Sequence, residues 1–66
     1  MQIQLNGESR RLDGDSTLAQ LIETLGLAGR RVAIEVNEEI VPRSQHAQTQ
    51  LAEGDRVEIV HAIGGG

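Results

Sequence analysis

The side chains that most often do chemistry are scarce in this chain. It has no cysteine, so there is no thiolate to act as a nucleophile or to bind zinc. Ser9, Ser16 and Ser44 offer hydroxyls, but nothing in the sequence sets a histidine–carboxylate pair beside any of them. Ser16 reads instead as a helix cap. His46 and His61 stand fifteen positions apart, without the short spacing that puts two ligands on one face. They read as surface or strand-end residues, and no metal site is expected. Glu38-Glu39 reads as a solvated turn, because an acid–base pair needs a cleft that so small a domain does not promise.

The sequence closes on Gly64-Gly65-Gly66. A glycine loop that cradles phosphate must lead into a helix start, and no residues follow these. What is left is the carboxylate of Gly66. Such an end is either a frayed terminus or a narrow, mobile tail that delivers its carboxylate through a slot too tight for a Cβ. The glycines follow a strand with no polar linker between, which favours the second reading.

The elements that must hold this tail are legible from periodicity. Met1-Gln2-Ile3-Gln4-Leu5 alternates apolar and polar as a half-buried strand does. Asn6-Gly7 is a hairpin signal, Glu8 to Leu12 the returning strand, and Asp13-Gly14-Asp15 a turn. Ser16 or Thr17 can cap a helix whose face is Leu18, Leu21, Ile22 and Leu25. Gly26 closes it in a left-handed conformation, with Leu27 folding back. Val32, Ile34 and Val36 share the inner side of a third strand. Asn37-Glu38-Glu39 turns into a short strand, Ile40-Val41, stopped by Pro42. Arg43 to Gln50 is polar and irregular with room for one helical turn, and Leu51 is expected to anchor it. Glu53-Gly54-Asp55 is a turn, and the last strand runs from Arg56 to Ile63 with Val57 and Ile59 inward. The order β-β-α-β-β-β predicts an α+β roll in which a mixed sheet, its first and last strands central and parallel, grips one main helix. The expected core is Ile3, Leu5, Leu21, Ile22, Leu25, Ile34, Val36, Val57 and Ile59.

Composition sets the outer bounds. A chain of 66 residues is one domain that buries only about 60% of the surface its unfolded form exposes. The net charge is −4 and there are no aromatic residues, which argues against nucleic acid for want of a basic footprint and of stacking platforms. No signal peptide is read at the start. The longest apolar run, Val32 to Ile34, is far below the roughly 20 residues that span a bilayer. A cytoplasmic location and a monomeric free state are expected. All six basic side chains are arginine, so the chain offers no side-chain amine for acylation.

The element order and terminal glycines resemble the β-grasp, ubiquitin-like superfamily. Within it, the chain is similar throughout its length to the ThiS family of sulfur carriers in thiamin biosynthesis. The resemblance rests on Met1 to Gly7, on Val36-Asn37-Glu38-Glu39-Ile40-Val41-Pro42-Arg43, on Glu53-Gly54-Asp55, and on Val60 to Gly66. The terminal pair of that family matches Gly65 and Gly66, and Gly64 is an added third glycine. The resemblance implies a domain over 1–63 and a flexible tail over 64–66. It implies that an ATP-using, ThiF-like adenylating enzyme activates the Gly66 carboxylate. A sulfur-donor protein then supplies sulfur to make a thiocarboxylate, and a ThiG-like thiazole synthase consumes it. In that reading the chain is a protein co-substrate with no catalytic residue and no bound cofactor. The outward residues Val60, Ala62 and Ile63 are the expected partner contacts. The lack of cysteine agrees, since no side chain here can hold sulfur as a persulfide. Three other readings stand beside this one: a molybdopterin synthase small subunit, a ubiquitin-type protein modifier, and a plain binding module with an inert tail.

Overall fold

The computed structural model describes residues 1–13 and 16–61. Five strands form one mixed sheet: β1 (Gln2–Leu5), β2 (Glu8–Arg11), β3 (Val32–Val36), β4 (Glu39–Ile40) and β5 (Arg56–His61), in the order β2-β1-β5-β3-β4. The first and last strands are central and parallel, with Gln4 opposite Arg56 and Leu5 opposite Val57. All other pairings are antiparallel. This is the predicted α+β roll.

Both hairpins turn on two residues with positive φ: Asn6 and Gly7 (50° and 83°), and Asn37 and Glu38 (52° and 71°). Such a turn matches the twist of the strands it joins, and it favours glycine and asparagine because they tolerate the left-handed region. The two asparagines also tie their hairpins to β5. Asn6 Oδ1 accepts from the Ile59 N–H at 2.8 Å, where β1 has already turned away and leaves that donor without a strand partner. Asn37 Oδ1 accepts from the Arg56 N–H at 3.0 Å, and its amide donates to Asp55 Oδ1 at 3.0 Å.

The helix α1 (Leu18–Thr24) starts on Thr17. Thr17 Oγ1 accepts from the Gln20 N–H at 3.2 Å, and Gln20 Oε1 accepts from the Thr17 N–H at 2.8 Å. This reciprocal box satisfies donors that a helix start otherwise leaves unpaired. The cap is therefore Thr17 and not Ser16, whose hydroxyl donates to the Asp13 carbonyl at 3.5 Å. Only Thr17 has a glutamine three residues on to complete the box. The helix closes as expected: Gly26 adopts φ 73°, its N–H bonds the Glu23 carbonyl, and the Leu27 N–H bonds the Ile22 carbonyl, each at 3.0 Å. The segment expected to be irregular forms a six-residue 3₁₀ helix, Arg43–Gln48. Its far end is bound to the start of α1: the Leu18 N–H donates to the Thr49 carbonyl and the Leu51 N–H to the Ser16 carbonyl. The short fourth strand lies one residue earlier than expected, at Glu39–Ile40.

The core consists of Ile3, Leu12, Leu18, Leu21, Ile22, Ile34, Leu51, Val57 and Ile59. Leu5, Leu25 and Val36, expected in it, are half-buried and pack against its margin. They sit near strand or helix ends, where a thin domain has no second layer to cover them. Leu12 and Leu51 close the core from the connections, and Leu18 from the first position of α1. No helix among the described residues is long and apolar enough to cross a membrane.

Leu21 is fully buried at the centre of the α1 face. Leu21→Ala is expected to cost about 2–5 kcal/mol in urea unfolding; a cost under about 1 kcal/mol contradicts this packing.

Candidate functional site

The inner face of the sheet is consumed by the core, so any site on the sheet has to use the outer face. Residues paired across antiparallel strands lie on the same face. The register sets Ala33 opposite Val60, Glu35 opposite Glu58, and Ile40 opposite Glu35. The outer side of β3, β4 and β5 is therefore a pair of facing carboxylates flanked by Ala33 and Val60 on one side and Ile40 on the other. Val60 is 60% exposed and Ile40 73%. Arg56, further along β5, reaches Glu38 at 3.9 Å with both side chains largely exposed, a contact of little stabilising value.

Among the expected partner contacts, Val60 stands outward on this face. Ala62 and Ile63 lie outside the described residues, as do Gly64, Gly65 and Gly66. Sequence reasoning missed Ile40. The signal was present: a two-residue turn at Asn37-Glu38 forces Ile40 opposite Glu35, and hence outward.

The other candidates do not converge. His46 is on the 3₁₀ helix, where Nε2 donates to the Val41 carbonyl at 3.0 Å, and His61 ends β5. No group of three histidine, aspartate or glutamate side chains among the described residues is placed to hold a metal ion. The described core contains no buried polar or charged residue. Nothing in it has the desolvated setting that tunes a catalytic acid or base. Ser9, Ser16 and Ser44 lie on separate elements: β2, the approach to α1, and the 3₁₀ helix.

The fold thus defines a β-grasp, ubiquitin-like domain. The ThiS family model matches residues 3–66. The sulfur carrier protein ThiS of Bacillus subtilis is 34% identical over 97% of this chain and 98% of its own length. A crystal structure of the thiamine biosynthesis protein ThiS from Geobacter metallireducens superposes with a TM-score of 0.86 at 30% identity, covering 100% of both chains. The chain belongs to the ThiS family, a family of sulfur carriers in thiamin biosynthesis. It also matches the thiazole synthase of Paramagnetospirillum magneticum at 46% identity, and it spans 20% of the length of the thiazole synthases it resembles.

Like charges directly opposite on a sheet are destabilising, so Glu35 and Glu58 are held together at a cost. Glu35→Gln is expected to raise stability by about 0.2–1 kcal/mol at neutral pH and low salt, with the gain shrinking as salt screens the pair. A urea midpoint that stays the same or falls contradicts this reading of the face.

Proposed function

We propose that this domain carries sulfur as a thiocarboxylate on Gly66 and delivers it for thiazole assembly in thiamin biosynthesis. The observation that carries the proposal is the extent of the family match. It runs to residue 66 and so includes the terminal glycines, and the sulfur carriers it resembles are matched along nearly their whole length. The chemistry fits the residues available. A carboxylate oxygen of Gly66 attacks the α-phosphorus of ATP held by an adenylating enzyme, and pyrophosphate leaves. The resulting acyl adenylate is attacked at its carbonyl carbon by the outer sulfur of a persulfide on a donor protein, and AMP leaves with the oxygen, giving an acyl disulfide. A second thiolate, from a partner protein because this chain has no cysteine, attacks the inner sulfur; the S–S bond breaks, a disulfide forms on the partner side, and the thiocarboxylate is released. The product has one carboxylate oxygen replaced by sulfur. No step needs a catalytic side chain from this domain, which acts as a co-substrate.

Two partners follow from this reading. A thiazole synthase is the consumer, and relatives bearing that name contain a segment like this chain within their own length. That arrangement holds carrier and consumer together at high effective concentration. The adenylating enzyme is assigned to the outer face of β3–β5. Val60 there is one residue before His61, at which β5 ends and residues 62–66 begin. An enzyme holding that face holds the strand that leads, six residues after Val60, to the carboxylate it must activate. Glycines suit the approach because they lack a Cβ.

Two outcomes are expected. Removing Gly66 leaves the same chemical group on Gly65 but shortens the reach by about 3.3–3.6 Å. A misplacement of about 1 Å can already cost around a hundredfold where reacting atoms need attack geometry. The truncated chain should melt as the parent does and fail to gain sulfur when incubated with the adenylating enzyme, ATP and a sulfur donor. Sulfur uptake at the parent rate contradicts the carrier role. Separately, Val60→Glu should slow adenylate formation, followed by pyrophosphate release, and leave the thermal melt unchanged. An unaltered rate moves the interface away from this face.

A further inference from the structure

On the helix side of the sheet, an open cleft of about 510 Å³ lies between the end of α1, the connection to β3 and the 3₁₀ helix. Its floor is apolar, built from Ile22, Leu27 and Val32. Val32 shares the inner face with Ile34 and pairs in register with His61, so the cleft borders the strand that leads to the glycines. Its rim is basic: Arg30, Arg31 and Arg43, with His46 beside them. Half of the arginines in a chain of net charge −4 are gathered here.

Local structure does not account for this grouping. At the end of α1 the carbonyls of Leu21, Ile22 and Glu23 accept from the backbone N–H groups of Leu25, Leu27 and Gly26, and the side chains of Arg30 and Arg31 take no part in closing the helix. Arg43 sits at the start of the 3₁₀ helix, the end where a helix dipole disfavours a cation. Among the described residues, none of the three guanidinium groups forms an ion pair, and none donates a side-chain hydrogen bond; the ion pair found uses Arg56. Glu23, on α1, is the one acidic residue in the lining.

We propose that this cleft docks an acidic segment of a partner protein, with one apolar side chain on the floor and carboxylates on Arg30, Arg31 and Arg43. The chemistry of the lining selects the occupant. Arginine pairs carboxylates with fixed, two-pronged geometry. The cleft is too open to sequester a free small molecule, since most of its rim residues are exposed and small-molecule sites bury most of their ligand. An acidic partner is repelled by the outer sheet face, with Glu35 and Glu58, and attracted here. The charge distribution therefore orients it before contact. The proposal does not depend on the carrier reading, because it concerns a different face and involves no sulfur.

The test is a titration of the full isotope-labelled chain, followed by amide NMR, with the peptide acetyl-Glu-Asp-Leu-Asp-Glu-amide at low salt. Saturable shifts confined to the amides of Ile22, Leu27, Arg30 to Val32 and Arg43 are expected. The double variant Arg31→Gln/Arg43→Gln should bind about fivefold more weakly, the combined loss of two exposed ion pairs, and its thermal melt should match the parent. Arg31→Lys/Arg43→Lys should fall between the two. Shifts of equal size with acetyl-Gln-Asn-Leu-Asn-Gln-amide overturn the proposal, as does the absence of shifts in the cleft. Equal binding of inorganic phosphate also overturns it, by showing a site for small anions without a role for the apolar floor.

Discussion

A domain with no cysteine and no aromatic residue has to draw its stability from aliphatic burial, which is proportional to the apolar area removed from water. Here that burial is concentrated where Leu18, Leu21 and Ile22 of α1 share one core with Ile3, Ile34, Val57 and Ile59 of the sheet. The rest of the architecture serves this contact. The box at Thr17 and Gln20 fixes where the helix starts. The reversal at Gly26 and Leu27 fixes where it stops, and the bonds from Leu18 and Leu51 to the backbone of Thr49 and Ser16 fix its position. Because the inner face of the sheet is committed to the helix, recognition is left to the outer face, the helix-side cleft and the chain end.

β5 links these surfaces. It is flanked by β1 and β3 and is held at both ends of its first half by asparagine side chains from the two hairpins. Its inward residues Val57 and Ile59 supply core, and its outward residues Glu58 and Val60 supply the exposed face. A carrier has to be rigid where partners grip it and free of bulk where its carboxylate enters their active sites. Alternation along β5 followed by Gly64-Gly65-Gly66 meets both needs within a short stretch of sequence. The two candidate docking surfaces differ in sign, carboxylates on the outer face and guanidinium groups around the cleft.

Most of the fold was legible because period and turn chemistry agree in it. Alternation gave β1, β3 and β5 with their inward residues, Asn6-Gly7 gave the first hairpin, and the leucine spacing with Gly26 gave the helix and its end. The errors came where tertiary packing decides. Ser16 and Thr17 are chemically alike as caps, and only Gln20, three residues beyond Thr17, separates them. Arg43 to Gln50 has no strong periodicity, so its 3₁₀ helix is set by how its far end joins α1. Leu12 lies past the end of β2, where no repeat pattern marks a residue as core, while Leu51 anchors its segment as expected. In the site, Val60 followed from strand parity, and Ile40 could have followed from the two-residue turn before it. The basic cleft was not legible at all. Arg30, Arg31 and Arg43 are separated in sequence, and only the packing of the α1 end against the 3₁₀ helix brings them together.

The central claim is that sulfur resides on the terminal carboxyl group of Gly66. Intact-mass spectrometry with fragmentation, on the chain purified from cells growing without supplied thiamin, tests it most directly. The account predicts a population heavier by the difference between a sulfur and an oxygen atom, with the added mass located by fragmentation on Gly66. A chain with no such population, in cells that are making thiazole, would contradict it.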